Sequence, residues 1–495
     1  MFKKLLIIGG MIFILCLNVQ NGFAQITLPY TVTSSMKGQT LTLTEDLQAT
    51  YLMEKGISIM AHNFTLDGNG HSVTGMDQAL GGDHTGLNPR DQYSGITIKN
   101  LIVTKWGDGI YARQYMHGLI DNCYLLDNAS NGFSFANQPN TGTEIRNSIF
   151  EKNARFGIKV ARTDSCYIHD NEILENERGG MTIEQLSTEY NIIEGNTIQD
   201  NMRFGMELYL AKHNLIKNNV LYNNKLIVEQ ADSNTFIGNT IEDSDTSLIA
   251  KSSIGNIFND CKIINSRDFD VVMDLGAVVT FVGTEFNKDL VKIIDGASNL
   301  TVKWHLYVTI SNSGAIEGAI IKIYDKDNNL VVEDTTNSEG KIETLDLVEY
   351  VQNSAGKVYS APYQLEISKE GYPLINQTVD LIENTDLLIS LTYVMNIQNG
   401  NLSQEFALFQ NYPNPFNPTT AISYDLIRSS YVVIKIVDIN GKLVRTLMKG
   451  FQAAGQKILH WNATDDQGKE VASGIYFYSL VAGDFKQTRR MVLVR

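Results

Sequence analysis

The sequence is poor in residues that stiffen or cross-link a chain. It has 8 prolines, 3 tryptophans and 4 cysteines among 495 residues. Cys16 lies in an N-terminal apolar run, and Cys123, Cys166 and Cys261 are widely spaced, so we expect buried free thiols rather than a disulfide framework. The 8 histidines never occur as His-x-His, and Cys-x-x-Cys is absent, which argues against zinc or copper.

Positive charge is scarce as well. Lysine and arginine number 40 against 55 acidic residues, which gives a net charge of −15. Because a phosphate backbone needs a basic partner face, we do not expect a nucleic-acid partner. After the N-terminus no apolar run approaches the length of a membrane span, so we do not expect an integral membrane protein.

Residues 1–24 have the three parts of a secretory signal peptide. Lys3 and Lys4 supply the charged end, residues 5–17 the apolar core, and residues 22–24 a cleavage region before Gln25. A membrane anchor is the alternative, but the apolar run is short for a spanning helix. The pattern therefore predicts an exported protein.

Two phrases recur at intervals of 23 or 25 residues. The first places an Asn four residues before a Gly, with alternating apolar residues after it. Its glycines are Gly109, Gly132, Gly157, Gly180 and Gly205. Its asparagines are Asn128, Asn153, Asn176 and Asn201, joined later by Asn224. The second phrase falls half a period away, as in "IEGNTI" from Ile193.

Each period contains two or three short strands with alternating polarity and no helical pattern, which predicts one turn of a parallel β-helix. Inward side chains should stack into apolar ladders, and the asparagines should hydrogen-bond along the axis at the turns. About ten coils are expected from Ile57 to Phe286, each rising about 4.8 Å.

The stretch "HNFTLDGNGHSVTG", residues 62–75, resembles the first coil of right-handed parallel β-helix proteins, which include pectate-lyase-like enzymes and NosD-like periplasmic proteins. The resemblance spans roughly residues 26–300. It implies an all-β chain whose β-helix occupies residues 25–300. It says little about function, because this fold hosts lyases, hydrolases, epimerases and adhesins.

Two further modules follow the β-helix. "IEGAIIKIYDKDNN" and "PYQLEISKEGY", within residues 301–395, resemble a carboxypeptidase-regulatory-like, transthyretin-type β-sandwich, which implies a spacer. A polar linker, residues 396–404, comes next. Residues 405–495 contain "NYPNPFNPTT" and "VASGIYFYSL" and resemble the type A C-terminal sorting domain of the type IX secretion system. That resemblance implies a second, Ig-like β-sandwich, the type IX secretion machinery as a partner, and release or anchoring at the cell surface.

Arginines recur in the first phrase, two residues before the repeat Gly, as Arg155, Arg178 and Arg203. In successive coils they would form a basic stripe about 4.8 Å apart. A row of guanidinium groups suits the carboxylates or sulfates of an acidic polysaccharide. In the alternative interpretation, these arginines form ion pairs with acidic residues of the turns and only keep the β-helix soluble. Those acids are Glu151, Glu175, Glu177 and Asp200.

Outward residues beside the stripe allow two chemistries. Lys159 could act as the base of a β-elimination, with Arg155, Arg178 or Arg162 neutralising a uronate carboxylate. Glu184 and Glu207, on adjacent coils, could instead form the acid and base of a hydrolase. The candidate substrate-binding residues are Arg113, Arg155, Arg162, Arg178, Arg203, Tyr111 and Tyr209.

The longest interruption of the repeat, residues 76–95, is a polar, Gly-rich loop. Asp83 and Asp91 in this loop are candidates for binding Ca²⁺, and the loop could overhang a groove or simply cap a coil. The polygalacturonase-like hydrolases carry paired aspartates, whereas "WGDGIYA" supplies Asp108 alone. The sequence thus predicts a secreted or surface protein that binds an acidic polysaccharide, with cleavage left open. A non-catalytic adhesin or structural rod is the alternative.

Overall fold

The computed structural model describes residues 26–51, 55–76, 85–89, 93–113, 117–136, 139–312, 314–392 and 406–494. The predicted signal peptide and linker lie outside these residues. The chain divides into two compact units, Met1–Val394 and Met395–Arg495, and each is described by itself. Across the described residues the helical structure is the three-residue 3₁₀ helix Ser34–Met36, and no helix there is long and apolar enough to cross a bilayer.

The first unit begins as a parallel β-helix in which successive coils add short strands to three sheets. The strands of sheet 1 are Tyr30–Val32, Lys55–Ile59, Thr85–Pro89, Asp108–Ala112, Phe133–Phe135, Phe156–Ala161, Gly179–Glu184, Met206–Tyr209, Leu226–Glu229, Thr246–Lys251, Phe269–Asp274 and Val291–Ile293. Those of sheet 2 are Thr40–Thr42, Thr65–Asp67, Thr97–Lys99, Leu119–Asp121, Glu144–Arg146, Tyr167–His169, Ile192–Glu194, Leu215–Lys217, Thr235–Ile237, Ile254–Asn259, Val278–Val282 and Asn299–Ser311. Those of sheet 3 are Leu47–Gln48, Ser72–Thr74, Ile102–Thr104, Tyr124–Leu126, Ile149–Glu151, Glu172–Leu174, Thr197–Gln199, Val220–Tyr222, Thr240–Glu242 and Lys262–Ile264.

The predicted fold class is confirmed, since the strands of each sheet pair in parallel from coil to coil. Within the described chain, ten strands of sheet 1 run from Lys55–Ile59 to Phe269–Asp274, as predicted for this span. A further coil precedes them and starts at Tyr30–Val32. A small extra pair, Asn140–Thr141 with Thr163–Asp164, lies outside the three sheets.

Alternation along each strand places one set of side chains in the core. In sheet 2, the central residues Ile145, Ile168 and Ile193 are fully buried and register-matched in successive coils. Phe236 and Phe258 continue this ladder with their rings stacked at 4.2 Å. Burial of apolar area at about 25 cal/mol per Å² is the main force that holds one coil on the next.

Buried asparagines hold the turns together, as the repeat predicts. At the turn from sheet 3 to sheet 1, each amide nitrogen donates to the next side-chain oxygen at 2.9 Å, and this column is Asn128, Asn153, Asn176, Asn201 and Asn224. Two more ladders occupy the other turns. Between sheets 2 and 3 the residues are Asn171, Asn196, Asn219 and Asn239. Between sheets 1 and 2 they are Asn191, Asn214, Asn234 and Asn256.

The three cysteines of the β-helix stand at the ends of these two additional ladders. Cys166 donates its backbone N–H to Asn191 Oδ1 at 3.0 Å, and Cys261 follows Asn239. All three are free and buried, as expected. Burial raises the pKa of Cys123 and Cys166 to about 12 and that of Cys261 to about 11.

We therefore expect the folded protein to resist thiol reagents at neutral pH, because neither thiolate nor solvent access is available. Reaction with iodoacetamide, followed by mass spectrometry of the intact chain, should label these three cysteines only after denaturation. Rapid labelling of any of the three in native buffer would contradict the prediction.

The last strand of sheet 2 leads directly into the next module. Asn299–Ser311 pairs in parallel with Val278–Val282, antiparallel with Leu345–Asn353, and in parallel with Thr385–Ser390. It therefore runs across the predicted boundary at residue 300. Gly356–Tyr359 extends this sheet, and a second, antiparallel sheet consists of Leu330–Thr335, Ile320–Tyr324, Tyr363–Ser368 and Ile375–Val379.

A buried polar cluster fastens the module to the last coils. Glu349 is 3% exposed, and its Oε2 lies 2.6 Å from both Lys288 Nζ and Trp304 Nε1. Lys288 Nζ also donates to the carbonyl oxygen of Ile382 at 3.0 Å. Lys288 belongs to the β-helix and Glu349 to the module, and the buried apolar residues of the two parts form one continuous core.

The second unit is a small antiparallel β-sandwich. One sheet contains Ala407–Leu408, Thr420–Leu426 and Gly455–Trp461. The other contains Leu443–Gln452, Ser430–Asp438, Gly474–Ala482 and Phe485–Leu493. Its core is built on Trp461, Tyr424 and Tyr478. Gly441 adopts φ +77° at the turn between Ser430–Asp438 and Leu443–Gln452.

Candidate functional site

The outward face of sheet 1 carries the residues proposed from the repeat. In one column Tyr111, Ser134, Lys159, Thr182 and Glu207 are register partners in successive coils. The neighbouring column contains Glu184 and Tyr209, followed by Glu229. The three catalytic candidates, Lys159, Glu184 and Glu207, are thus brought together on three consecutive coils.

The arginine stripe borders this face at the turn from sheet 3. Arg155, Arg178 and Arg203 are exposed, and none forms an ion pair with any residue that the structure describes. Two of the acids proposed as their partners, Glu151 and Glu175, contact Lys152 at 2.5 and 3.7 Å instead. Arg178 lies over the ring of Phe156 at 5.0 Å, which supports its planar head group.

The remaining basic candidates lie at the opposite edge of the face. Arg113 and Arg162 directly follow their sheet 1 strands, at the turn towards sheet 2. Arg162 adopts φ +50°, and its backbone N–H donates to Thr188 Oγ1 at 2.8 Å. The face of sheet 1 is therefore flanked by arginines on both sides, and Tyr209, 37% exposed, stands between them.

The three catalytic candidates are not equivalent. Lys159 Nζ lies 2.8 Å from Glu184 Oε1, an ion pair that sequence reasoning did not anticipate. Glu207 is half-buried, and its Oε2 accepts from Thr182 Oγ1 at 3.4 Å. Burial, reinforced by the negative charges of Glu184 and Glu229, raises the pKa of Glu207, and the Thr182 hydroxyl and the Arg178 charge oppose the rise.

In a pair of catalytic carboxyls, one group is protonated and the other is ionised, and Glu207 and Glu184 differ in the same direction. A carboxyl with a raised pKa can keep and then donate a proton, while its neighbour stays tied to a cation. Lys159 would have to leave Glu184 before its amine could abstract a proton. Glu207 is therefore the carboxyl of this face that retains its proton more readily, while Lys159 and Glu184 neutralise each other.

Asp108, the one acid of "WGDGIYA", has a structural role. It is 4% exposed, accepts from the backbone N–H and amide of Asn131 at 3.0 and 2.9 Å, and accepts from Ser134 Oγ at 2.6 Å. The Ca²⁺ candidates Asp83 and Asp91 lie outside the described residues. Within those residues, His, Cys, Asp and Glu form no group of three or more that could hold a metal ion.

Replacing Glu207 by Gln should stabilise the protein at neutral pH. Because its pKa is raised in the folded state, wild-type stability increases as the pH falls through that pKa and is lower where the carboxyl is ionised. The glutamine removes the buried charge, so its melting temperature should exceed that of wild type at pH 7. The difference should disappear in acid.

Thermal denaturation between pH 3 and 8 measures this difference in melting temperature. Glu172→Gln is the matched control, because it removes one negative charge from an exposed position on sheet 3. If Glu207→Gln is less stable than wild type at neutral pH, the ionised carboxylate of Glu207 does not destabilise the fold.

Comparison with known proteins agrees with this architecture. Residues 86–241 match the family model for a right-handed β-helix region, and residues 417–484 match that for a FlgD Ig-like domain. The first match supports the predicted handedness, and the second falls within the unit predicted as a sorting domain. No curated protein sequence matches the chain.

Solved structures resemble the β-helix at low identity. The Agl-KA catalytic domain is 14% identical with a TM-score of 0.45, and the match covers 55% of this chain and 58% of that domain, which is less than two thirds of its length. The periplasmic alginate epimerase AlgG is 12% identical with a TM-score of 0.40, and the match covers 52% and 69% of the two chains. PfbA, a surface adhesin of Streptococcus pneumoniae, is 12% identical with a TM-score of 0.36 over 72% and 88%. These similarities concern the fold alone.

Proposed function

We propose that this protein works outside the cell and binds an acidic polysaccharide along the outward face of sheet 1. The observation that carries the proposal is the stripe of Arg155, Arg178 and Arg203, exposed on consecutive coils and forming no ion pair with a described residue. Three guanidinium charges on consecutive coils repel one another, and a polyanion along the axis of the β-helix would relieve that repulsion.

The repeat of the β-helix suits a repeating ligand. Successive arginines are about 4.8 Å apart along the axis, because each coil repeats the strand spacing. In a chain of net charge −15, this stripe is a local site for anions. Tyr111 and Tyr209 supply aromatic surface beside it, on which a sugar ring can pack.

Cleavage, where it occurs, would follow from Glu207. Its protonated carboxyl would donate to the glycosidic oxygen, and Glu184 would act as the base or nucleophile once the substrate displaces Lys159. Hydrolysis is better supported than β-elimination because Glu207 has a raised pKa suited to an acid, whereas elimination needs Lys159 to lose its proton as well as its contact with Glu184.

Affinity electrophoresis through gels containing polygalacturonate, alginate, chondroitin sulfate or neutral dextran tests the binding. We expect retention by at least one acidic polymer, and a loss of roughly tenfold or more in affinity in Arg155→Gln/Arg178→Gln/Arg203→Gln. The control Lys212→Gln/Lys217→Gln/Lys262→Gln removes the same charge from other turns and sheets and should bind like wild type. Equal retention of both triple variants would refute the stripe as the binding site.

Cleavage is measured on the same polymers. New reducing ends without ultraviolet absorbance of an unsaturated uronate would indicate hydrolysis, and both signals together would indicate elimination. Loss of product in Glu207→Gln, with retention on the gel preserved, would assign the acid. Retention without any product would indicate an adhesin or structural rod that uses the same stripe.

We also propose that residues 405–495 direct export through the type IX secretion system. Support comes from the order of their motifs and from the antiparallel sandwich that they form. Deletion of these residues in a bacterium that has this system should leave the protein in the periplasm, as measured by cell fractionation. Unchanged delivery to the surface or medium would refute the assignment.

A further inference from the structure

The arginine stripe ends at a notch in the rod, a cavity of about 290 Å³. A difference in turn length explains it. Asn201 precedes its register residue Met206 by five positions, whereas Asn224 precedes the partner Leu226 by two. The coil after Arg203 therefore lacks three residues of the turn, and space opens where their side chains would lie.

Three cations line the notch, and two of them form no ion pair with a described residue. Arg203 and Lys225 both line it, and neither forms an ion pair with a residue in the described ranges. Arg267 crosses from two coils further on, with Nε 2.5 Å from Asp245 Oδ1 and Nη2 3.3 Å from Asn223 Oδ1.

The acids of the notch do not cancel this charge. Asp200 is held by neutral amides, at 2.8 Å from Asn223 Nδ2 and from Gln199 Nε2, and Asp245 is engaged by Arg267. Three cations thus face two carboxylates in the lining.

A buried hydroxyl at the notch also lacks a partner. Ser244 takes the place of the next ladder asparagine, is 3% exposed, and lines the cavity. Its Oγ has no hydrogen-bond partner among the described residues, whereas Asn201 and the asparagines before it are fully bonded. An unsatisfied buried hydroxyl destabilises the fold, and a bound polar group would restore its hydrogen bond.

We propose that this notch is an oxyanion subsite that binds one carboxylate or sulfate group of the polysaccharide at the end of the stripe. Lys225 and Arg203 provide the charge, Ser244 a hydroxyl donor, and the exposed side chain of Met202 an apolar wall for the sugar ring. The inference rests on the proposed function. Lys225 lies three coils from Arg155, about 14 Å along the axis, so a ligand must be long enough to occupy both.

Isothermal titration calorimetry with short and long uronate oligosaccharides, and with sulfated ones, tests the subsite. Lys225→Gln should weaken binding of the long oligosaccharide roughly tenfold, whereas Lys225→Arg should retain it. Lys262→Gln, on sheet 3, is the matched control and should bind like wild type. Thermal melting of each variant separates lost affinity from lost folding. Tighter binding of uronate or of sulfate identifies the anion.

The outcomes separate the two proposals. If Arg155→Gln weakens binding and Lys225→Gln does not, the notch is no subsite, although the stripe still binds the polymer. If the wild-type protein binds no acidic oligosaccharide, the proposed function fails and the subsite with it. Binding of inorganic sulfate alone at this notch would likewise refute a polysaccharide subsite.

Discussion

Asn176→Ala should lower the free energy of unfolding by about 3–5 kcal/mol. The Asn176 side chain is fully buried and accepts from the backbone N–H and the amide of Asn153 at 3.0 and 2.9 Å. It also donates to Phe150 O at 3.0 Å and to Asn201 Oδ1 at 2.9 Å. Alanine would remove one hydrogen bond from each of four buried polar groups, where neither water nor a neighbouring side chain could replace the amide. Asn153 Nδ2 would keep its bond to Leu125 O, and Asn201 Oδ1 its bond from the backbone N–H of residue 176.

Urea denaturation followed by circular dichroism measures this loss, and hydrogen exchange of residues 150–205 locates it. Gln199→Ala is the matched control, because its exposed amide makes a single hydrogen bond to Asp200. We expect the control to change stability by less than about 0.5 kcal/mol. A similar, small effect of both substitutions would mean that the ladder is not a principal support of the coils.

The fold was predictable because the same sequence pattern recurs in successive coils. Asn128 to Asn201, at fixed distances from the repeat glycines, identified both the period and the hydrogen-bonded column. The other two ladders were harder to see. They begin or end at cysteine or serine rather than asparagine, as at Cys166 and Ser148, so side-chain type alone breaks the pattern while the turn geometry continues.

Glu349→Ala should cost about 3 kcal/mol of stability, because removal of one partner leaves the other charge partly buried and unpaired. Lys288 would lose the carboxylate 2.6 Å away, and Trp304 Nε1 would lose its acceptor. The effect should concentrate at the end of the β-helix, where Lys288 and Glu349 join the last coils to the module.

Thermal denaturation and limited proteolysis of the full chain test this prediction. Glu333→Ala is the control, since Glu333 is exposed and lies 3.7 Å from Lys322, a surface pair worth little. Glu349→Gln should fall between the two, because it can still accept from Trp304. Equal stability of Glu349→Ala and the control would indicate that the module is fastened by apolar packing alone.

The site was predictable in part. The repeat placed Glu184 and Glu207 on adjacent coils beside the arginine stripe, as the register has them. The contact between Lys159 and Glu184 is diagonal, between columns and coils, so it depends on side-chain conformations that spacing does not determine.

The joint near Glu349 and the notch at Lys225 escaped prediction for related reasons. Lys288 and Glu349 are far apart in sequence, and each looks like an ordinary surface charge in its own segment. The notch results from the three residues missing between Asn224 and Leu226, and a shorter turn does not by itself predict a cavity.

The strand Asn299–Ser311 has a mechanical consequence. It belongs to the β-helix at one end and to the sandwich at the other, with hydrogen-bonded neighbours along its length. Tension that enters the module through Thr385–Ser390 passes into the last coil as shear across many hydrogen bonds loaded together. Force on a ligand bound to the β-helix would then reach the module through one continuous sheet. A chain tethered beyond the module would therefore resist flow without unfolding the segment that joins the β-helix to the module.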